Sequence, residues 1–153
     1  APLATNKNFP EAGRVCKMAG WGTMQDGDIA IEPQFLQTNV VDPILCFNQW
    51  GGDFKPKKQF CDLHKTLNKA TAEGDSGSGF LCRSGRTWLL AGLVSYGNNT
   101  DYFTPAVNVR VSAYYDWIQK TMAKDNPAPK PVDNEIRNCI VKVIKWILDH
   151  YRY

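Results

Sequence analysis

Histidine is nearly absent from this chain: His64 and His150 are the only two in 153 residues. Neither they nor the five cysteines, which form no CxxC pair, show the spacing that zinc sites use. No apolar run approaches the ~18–20 residues that a bilayer-spanning helix needs. An excess of one charge is also missing. The formal net charge is +3 and dispersed along the chain, which argues against nucleic acid as a partner. No internal repeat or low-complexity segment occurs. The opening Ala1-Pro2-Leu3-Ala4-Thr5-Asn6 lacks the charged and apolar regions of a signal peptide. It reads as a processed end or the start of a fragment.

What is present is globular in character, with 43% hydrophobic and 22% charged residues, enough for one domain with an appendage. Cys16, Cys46, Cys61, Cys82 and Cys139 suggest two disulfides and one leftover, hence an oxidising compartment and a secreted, extracellular protein. Cys139 is then either an inter-chain tether or a buried thiol. Asn98-Asn99-Thr100 forms a glycosylation sequon at Asn98.

Along the chain, 14–21 reads as a strand with Val15 and Met18 as its apolar positions, ending in Gly20-Trp21-Gly22. A second strand is expected over 34–41. Asp42-Pro43 opens a short helix over 44–50, because proline suits a first helical turn, and Gly51-Gly52 stops it. Further strands are expected at 59–63, 80–82, 87–95 and 105–111, with a turn at Ser84-Gly85. Six short strands separated by turns point to a small antiparallel barrel or sandwich. Ser112 to Met122 reads as a helix capped by Ser112, with Tyr115, Ile118 and Met122 along one face. A Pro-rich linker follows, then an amphipathic helix from Asn134 to Tyr151. Domain 1–124, linker 125–133 and tail 134–153 are the expected divisions. The tail's mixed charges argue against membrane binding.

The stretch Ala72-Glu73-Gly74-Asp75-Ser76-Gly77-Ser78-Gly79 carries the chemistry. Its glycines allow positive φ and close approach to the backbone, so N–H groups can converge on one point and stabilise an oxyanion. Alone, these residues are equally a polar turn between strands.

Four motifs in one order decide between the two. Gly-Arg-Val-Cys-Lys-Met-Ala-Gly-Trp-Gly-Thr (13–23), Gly-Asp-Ser-Gly (74–77), Leu-Val-Ser-Tyr-Gly (93–97) and Val-Arg-Val-Ser-Ala-Tyr-Tyr-Asp-Trp-Ile (109–118) resemble the second half of a chymotrypsin-like serine protease. That resemblance covers roughly 12–123. It implies a mainly β fold: a six-stranded antiparallel Greek-key barrel ending in a helix, with disulfides Cys16–Cys82 and Cys46–Cys61. It also implies Ser76 as nucleophile and the N–H groups of Gly74 and Ser76 as oxyanion hole. Asp75 matches the carboxylate that accepts a new amino terminus when a zymogen is cut. Ala70 matches the base of the primary pocket, Gly97 and Ala106 its walls, and Ser95-Tyr96-Gly97 the strand that pairs with substrate. A neutral base and small walls imply an apolar, chymotrypsin- or elastase-like preference. No cofactor is implied.

The chain departs from the family at Ser78-Gly79, where Gly-Pro is usual. Asn108 replaces a common tyrosine beneath the pocket, Tyr96 replaces tryptophan, and a paired cysteine is absent at both Ala72 and Asp101. The N-terminal barrel with the base His and its Asp is absent from this sequence. His64 reads as a solvated loop residue and His150 as a helix-face one. Catalysis then requires a partner chain carrying that barrel, and one face of this barrel should be apolar and exposed. The expected function is the C-terminal chain of a two-chain endopeptidase acting on peptide or protein. The rivals are a non-catalytic homologue serving as a binding module and a toxin or defence subunit.

Overall fold

The computed structural model describes residues 1–24, 26–64, 70–98 and 103–125. Six strands, β1 (Val15–Gly20), β2 (Gln34–Val40), β3 (Gln59–Leu63), β4 (Gly79–Ser84), β5 (Thr87–Tyr96) and β6 (Ala106–Arg110), close an antiparallel barrel in the order β1-β2-β3-β6-β5-β4. The expected fold is therefore found. Ala1–Ile118 forms one compact unit and Gln119–Tyr153 a second. The linker, the tail helix, Cys139 and His150 lie outside the described residues. Among the described residues, no helix is long and apolar enough to cross a membrane.

Alternation places the core. On β1, Cys16 and Met18 are buried, while Val15 is exposed, because residues three apart on a strand face opposite sides. Phe60 of β3 and Phe80 of β4 meet edge to face with centroids 6.1 Å apart, the favoured arrangement for aromatic quadrupoles. A Cβ on Gly92 would overlap the Phe60 ring, so glycine on β5 makes room for that packing.

β3 is buried on both faces. Phe60 joins the barrel core, whereas Cys61 and its register partner Val107 face outward onto Cys46 and Phe54. Helix α1 (Pro43–Trp50) carries Cys46; Asp42 caps it by accepting the Ile44 N–H at 2.8 Å. Cys46–Cys61 thus fastens α1 to the outside of β3, and Cys16–Cys82 joins register partners on β1 and β4. The second bridge spans 66 positions. A loop of that length removes ~4 kcal/mol of unfolded-state entropy. We expect Cys16→Ala with Cys82→Ala to lower unfolding free energy by about that amount, read from urea melts of oxidised protein.

One expected cap is corrected. Ser112 lies inside a 3-10 turn over Val111–Tyr114, and helix α2 begins afterwards at Tyr115 and runs to Asp125. The buried Ser112 hydroxyl donates to the Phe9 carbonyl at 3.2 Å, tying down the N-terminal segment. On α2, Met122 is exposed alongside Trp117, so the apolar stripe expected through Met122 is not a buried one.

Candidate active site

The 72–79 loop is a tight turn set against the barrel. The Asp75 N–H donates to Ala72 O at 3.1 Å and the Ser78 N–H to Asp75 O at 2.9 Å. Gly77 N–H to Val94 O and Val94 N–H to Ser78 O, both 2.9 Å, stitch the turn to β5. Gly74 (φ 94°) and Gly77 (φ 88°) occupy the left-handed region, which side-chain-bearing residues adopt only with strain. Between them Ser76 is exposed. Among the described residues, neither the Gly74 nor the Ser76 N–H donates a hydrogen bond. The turn therefore presents a hydroxyl and two uncommitted donors at adjacent positions.

Asp75 holds this shape from beneath. Its side chain is buried, and its carboxylate accepts the Gly22 N–H and the Ala72 N–H, each at 2.9 Å. Charge-assisted bonds of this kind are the strong ones. Thr23 N–H adds a bond to Glu73 O at 2.8 Å. A Cβ on Gly20 or Gly22 would overlap the Asp75 carboxylate. Gly20-Trp21-Gly22 is more than a turn after β1: it is the cradle for Asp75. Nothing in the local sequence links positions 53 residues apart, so this pairing was not legible there. Among the described residues no cation pairs with Asp75.

The residues expected to form a pocket wall gather at the ends of two neighbouring strands. Ser95, Tyr96 and Gly97 are half-buried at the end of β5, and Ala106 is half-buried at the start of β6. A register shift between Val94 and Tyr96 leaves Ser95 as the bulged residue, and bulges re-aim side chains next to sites. Gly97 faces Ala106: a Cβ added to Gly97 would stand 3.3 Å from that of Ala106. Tyr96 packs edge-on against Trp50 with centroids 5.1 Å apart, and Trp50 Nε1 donates to Pro105 O at 2.8 Å. Burial pushes the Tyr96 phenol above its ordinary pKa. Ala70 is half-buried two residues before Ala72, and Asn98 is exposed, while the rest of its sequon, Asn99-Thr100, lies outside the described residues. Trp21, Ile29, Ile31 and Phe35 are exposed apolar residues of the β1–β2 region.

One buried acid escaped the sequence reading. Asp62 on β3 pairs in register with Ala106, and Phe60 with Asn108. Asp62 is 3% exposed, Asn108 is 0%, and Asn108 Nδ2 donates to Asp62 Oδ1 at 2.7 Å. Burial pushes the Asp62 carboxyl up to about 6, only partly offset by the bonds from Asn108, Thr38 and its own backbone and by the charge of His64. Of these, the Thr38 contact is the weak one, since Thr38 Oγ1 makes no well-formed hydrogen bond. His64 lies just past the end of β3, outside any strand as expected, and is half-buried. Asn108, noted as a departure, thus serves as Asp62's partner.

Because Asp62 holds its proton more tightly folded than unfolded, its penalty is absent below pH ~4 and grows as pH rises through about 6. Stability should fall across that window by about 3 kcal/mol as an upper figure. Asp62→Asn should flatten the fall, which urea melts between pH 4 and 8 would detect.

A family model described as Trypsin matches residues 1–118. Chymase of Canis lupus familiaris is 36% identical over 128 residues, 83% of this chain and 48% of its own length. Granzyme M of Homo sapiens is 33% identical over 80% of this chain and 48% of its own length. Haptoglobin of Pongo abelii is 27% identical over 78% and 40%. Among solved structures, neuropsin, described as a serine protease expressed in the limbic system of mouse brain, superposes with a TM-score of 0.68. It is 24% identical and covers 79% of this chain and 52% of its own, a likeness of fold. The chain spans about half the length of the curated relatives it matches. With a closed barrel, both implied disulfides and a Gly-Asp-Ser-Gly turn in place, the chain belongs to the trypsin family of chymotrypsin-like serine proteases and covers roughly one of that fold's barrels.

Proposed function

We propose that this chain is the C-terminal barrel of a secreted serine endopeptidase, with the base His and its orienting Asp supplied by a separate chain carrying the N-terminal barrel. The observation that carries this reading is the turn itself. Ser76 is exposed between left-handed glycines, its own N–H and that of Gly74 are uncommitted among the described residues, and buried Asp75 fixes the loop. Ser76 Oγ attacks the scissile carbonyl carbon and passes its proton to the partner's imidazole. The oxyanion accepts the Gly74 and Ser76 N–H groups, and the amine leaves with the proton from the imidazolium. Water then repeats the sequence on the acyl-serine. Asp75 is the acceptor for an activating amino terminus. The wall of Gly97 and Ala106, with neutral Ala70 at the base, suits an apolar primary side chain. Ser95 to Gly97 supply the backbone edge for an extended substrate.

A second reading, a binding homologue that does no chemistry, draws on relatives that bear the name haptoglobin and not a protease name. A fluorophosphonate probe applied to the native assembly separates the two. An adduct on Ser76 supports the enzyme. An intact assembly left unlabelled, while a control protease reacts, supports the homologue.

A further inference from the structure

Beyond the Ser76 site, the barrel unit carries a cleft of about 680 Å³ whose lining residues include none of the site residues above. Its apolar floor includes half-buried Val41 and exposed Pro43 and Pro56, and the cations Lys7, Lys57, Lys58 and Arg110 line it. Glu11 is the acid in that lining, and it is engaged in an ion pair with Arg14.

Arg110 is the unusual member. It is 6% exposed, yet among the described residues no carboxylate pairs with it. Nη1 donates to Pro10 O at 3.0 Å and Nη2 to Gln59 O at 3.2 Å, and the guanidinium lies over the Phe60 ring. Its buried Nε has no partner. A guanidinium has five N–H donors, so each terminal nitrogen keeps a second hydrogen beyond those two bonds. Buried charges in proteins are ordinarily paired, and two carbonyls do not neutralise a cation.

We propose that this cleft binds an acidic peptide segment, with one carboxylate on Arg110, an apolar side chain on the floor of Val41, Pro43 and Pro56, and further acids facing Lys7, Lys57 and Lys58. Arg110 suits a carboxylate because its planar fork matches two oxygens. The floor is what favours a peptide over a sulfated glycan. A sulfated sugar has no apolar side chain to bury against aliphatic surface, whereas a peptide does. The proposal is independent of whether Ser76 is catalytic.

The test is fluorescence anisotropy on the assembled protein carrying Ser76→Ala, which leaves the probe uncut. The probe is a fluorescein-labelled hexapeptide with the order Asp, Glu, Phe, Glu, Asp, Glu. Saturable binding is expected, weakened about tenfold or more by Lys57→Glu with Lys58→Glu and left unchanged by Lys17→Glu on β1, whose ammonium packs over Phe35 and Trp88 and does not line the cleft. Replacing the probe's phenylalanine with serine should weaken it by a similar factor. Arg110→Lys, which keeps the charge and loses the fork, should weaken it too. Should that variant fail to fold by circular dichroism, the lysine pair decides alone. Equal binding of the serine-containing probe, or its displacement by heparin with no dependence on phenylalanine, would show a general polyanion surface and overturn the proposal. No saturable binding, or an undiminished affinity in the Lys57 and Lys58 double variant, would overturn it as well.

Discussion

Ser76→Ala is expected to remove about a millionfold of the turnover of the complete assembly, since members of a nucleophile–base unit act together and loss of one nearly equals loss of all. Stability should hardly change. The hydroxyl is exposed and makes no hydrogen bond to a described residue, and exposed substitutions away from special backbone usually lie within ~0.5 kcal/mol. The serine φ is not among the strained ones; those belong to Gly74 and Gly77. The informative comparison is therefore activity against melting temperature. A variant that melts like its parent and turns over like it would remove Ser76 from the mechanism. Residual catalysis above water of ~10³-fold would locate the remaining effect in the Gly74 and Ser76 N–H groups.

Gly22→Ala should strike the same chemistry without touching it. The new methyl would overlap the Asp75 carboxylate, and the bond from Gly22 N–H to Asp75 Oδ1 would be lost. A buried carboxylate deprived of a partner costs about 1–3 kcal/mol. Its displacement also releases the turn that positions the two proposed oxyanion donors, and losing one such donor lowers rates ~10²–10³-fold. Gly52→Ala is the matched control. A Cβ there meets nothing within 4 Å, and the residue is not among those with positive φ. Fluorophosphonate labelling rates, set beside unfolding curves for both variants, would read the difference. Equal labelling in the Gly22 and Gly52 variants would show that the cradle does not govern the turn.

Much of the fold was legible because barrel strands announce themselves by alternation and punctuation. β2 and β3 lie where the apolar pattern put them, and Asp42-Pro43 does open α1. Where local reasoning failed, a distant partner had taken over a local signal. Ser112 resembles an N-cap, but its hydroxyl goes to Phe9, 103 positions away. Asp62 looks like a polar interruption in a short strand, but Asn108 on the adjacent strand satisfies it inside the barrel.

The closed barrel and the family were what four motifs implied by resemblance; from its residues alone this chain determined six short strands and a Ser76-bearing glycine turn. Those depend on periodicity and on backbone freedom, which are properties of neighbours in sequence. The structure alone revealed which groups compensate one another: Gly20 and Gly22 around Asp75, Asn108 on Asp62, and an Arg110 bonded to carbonyls and, among the described residues, to no anion. Burial makes unpaired charge expensive wherever in the chain it arises. Its remedy is therefore set by barrel closure, which brings residues dozens of positions apart within hydrogen-bonding reach.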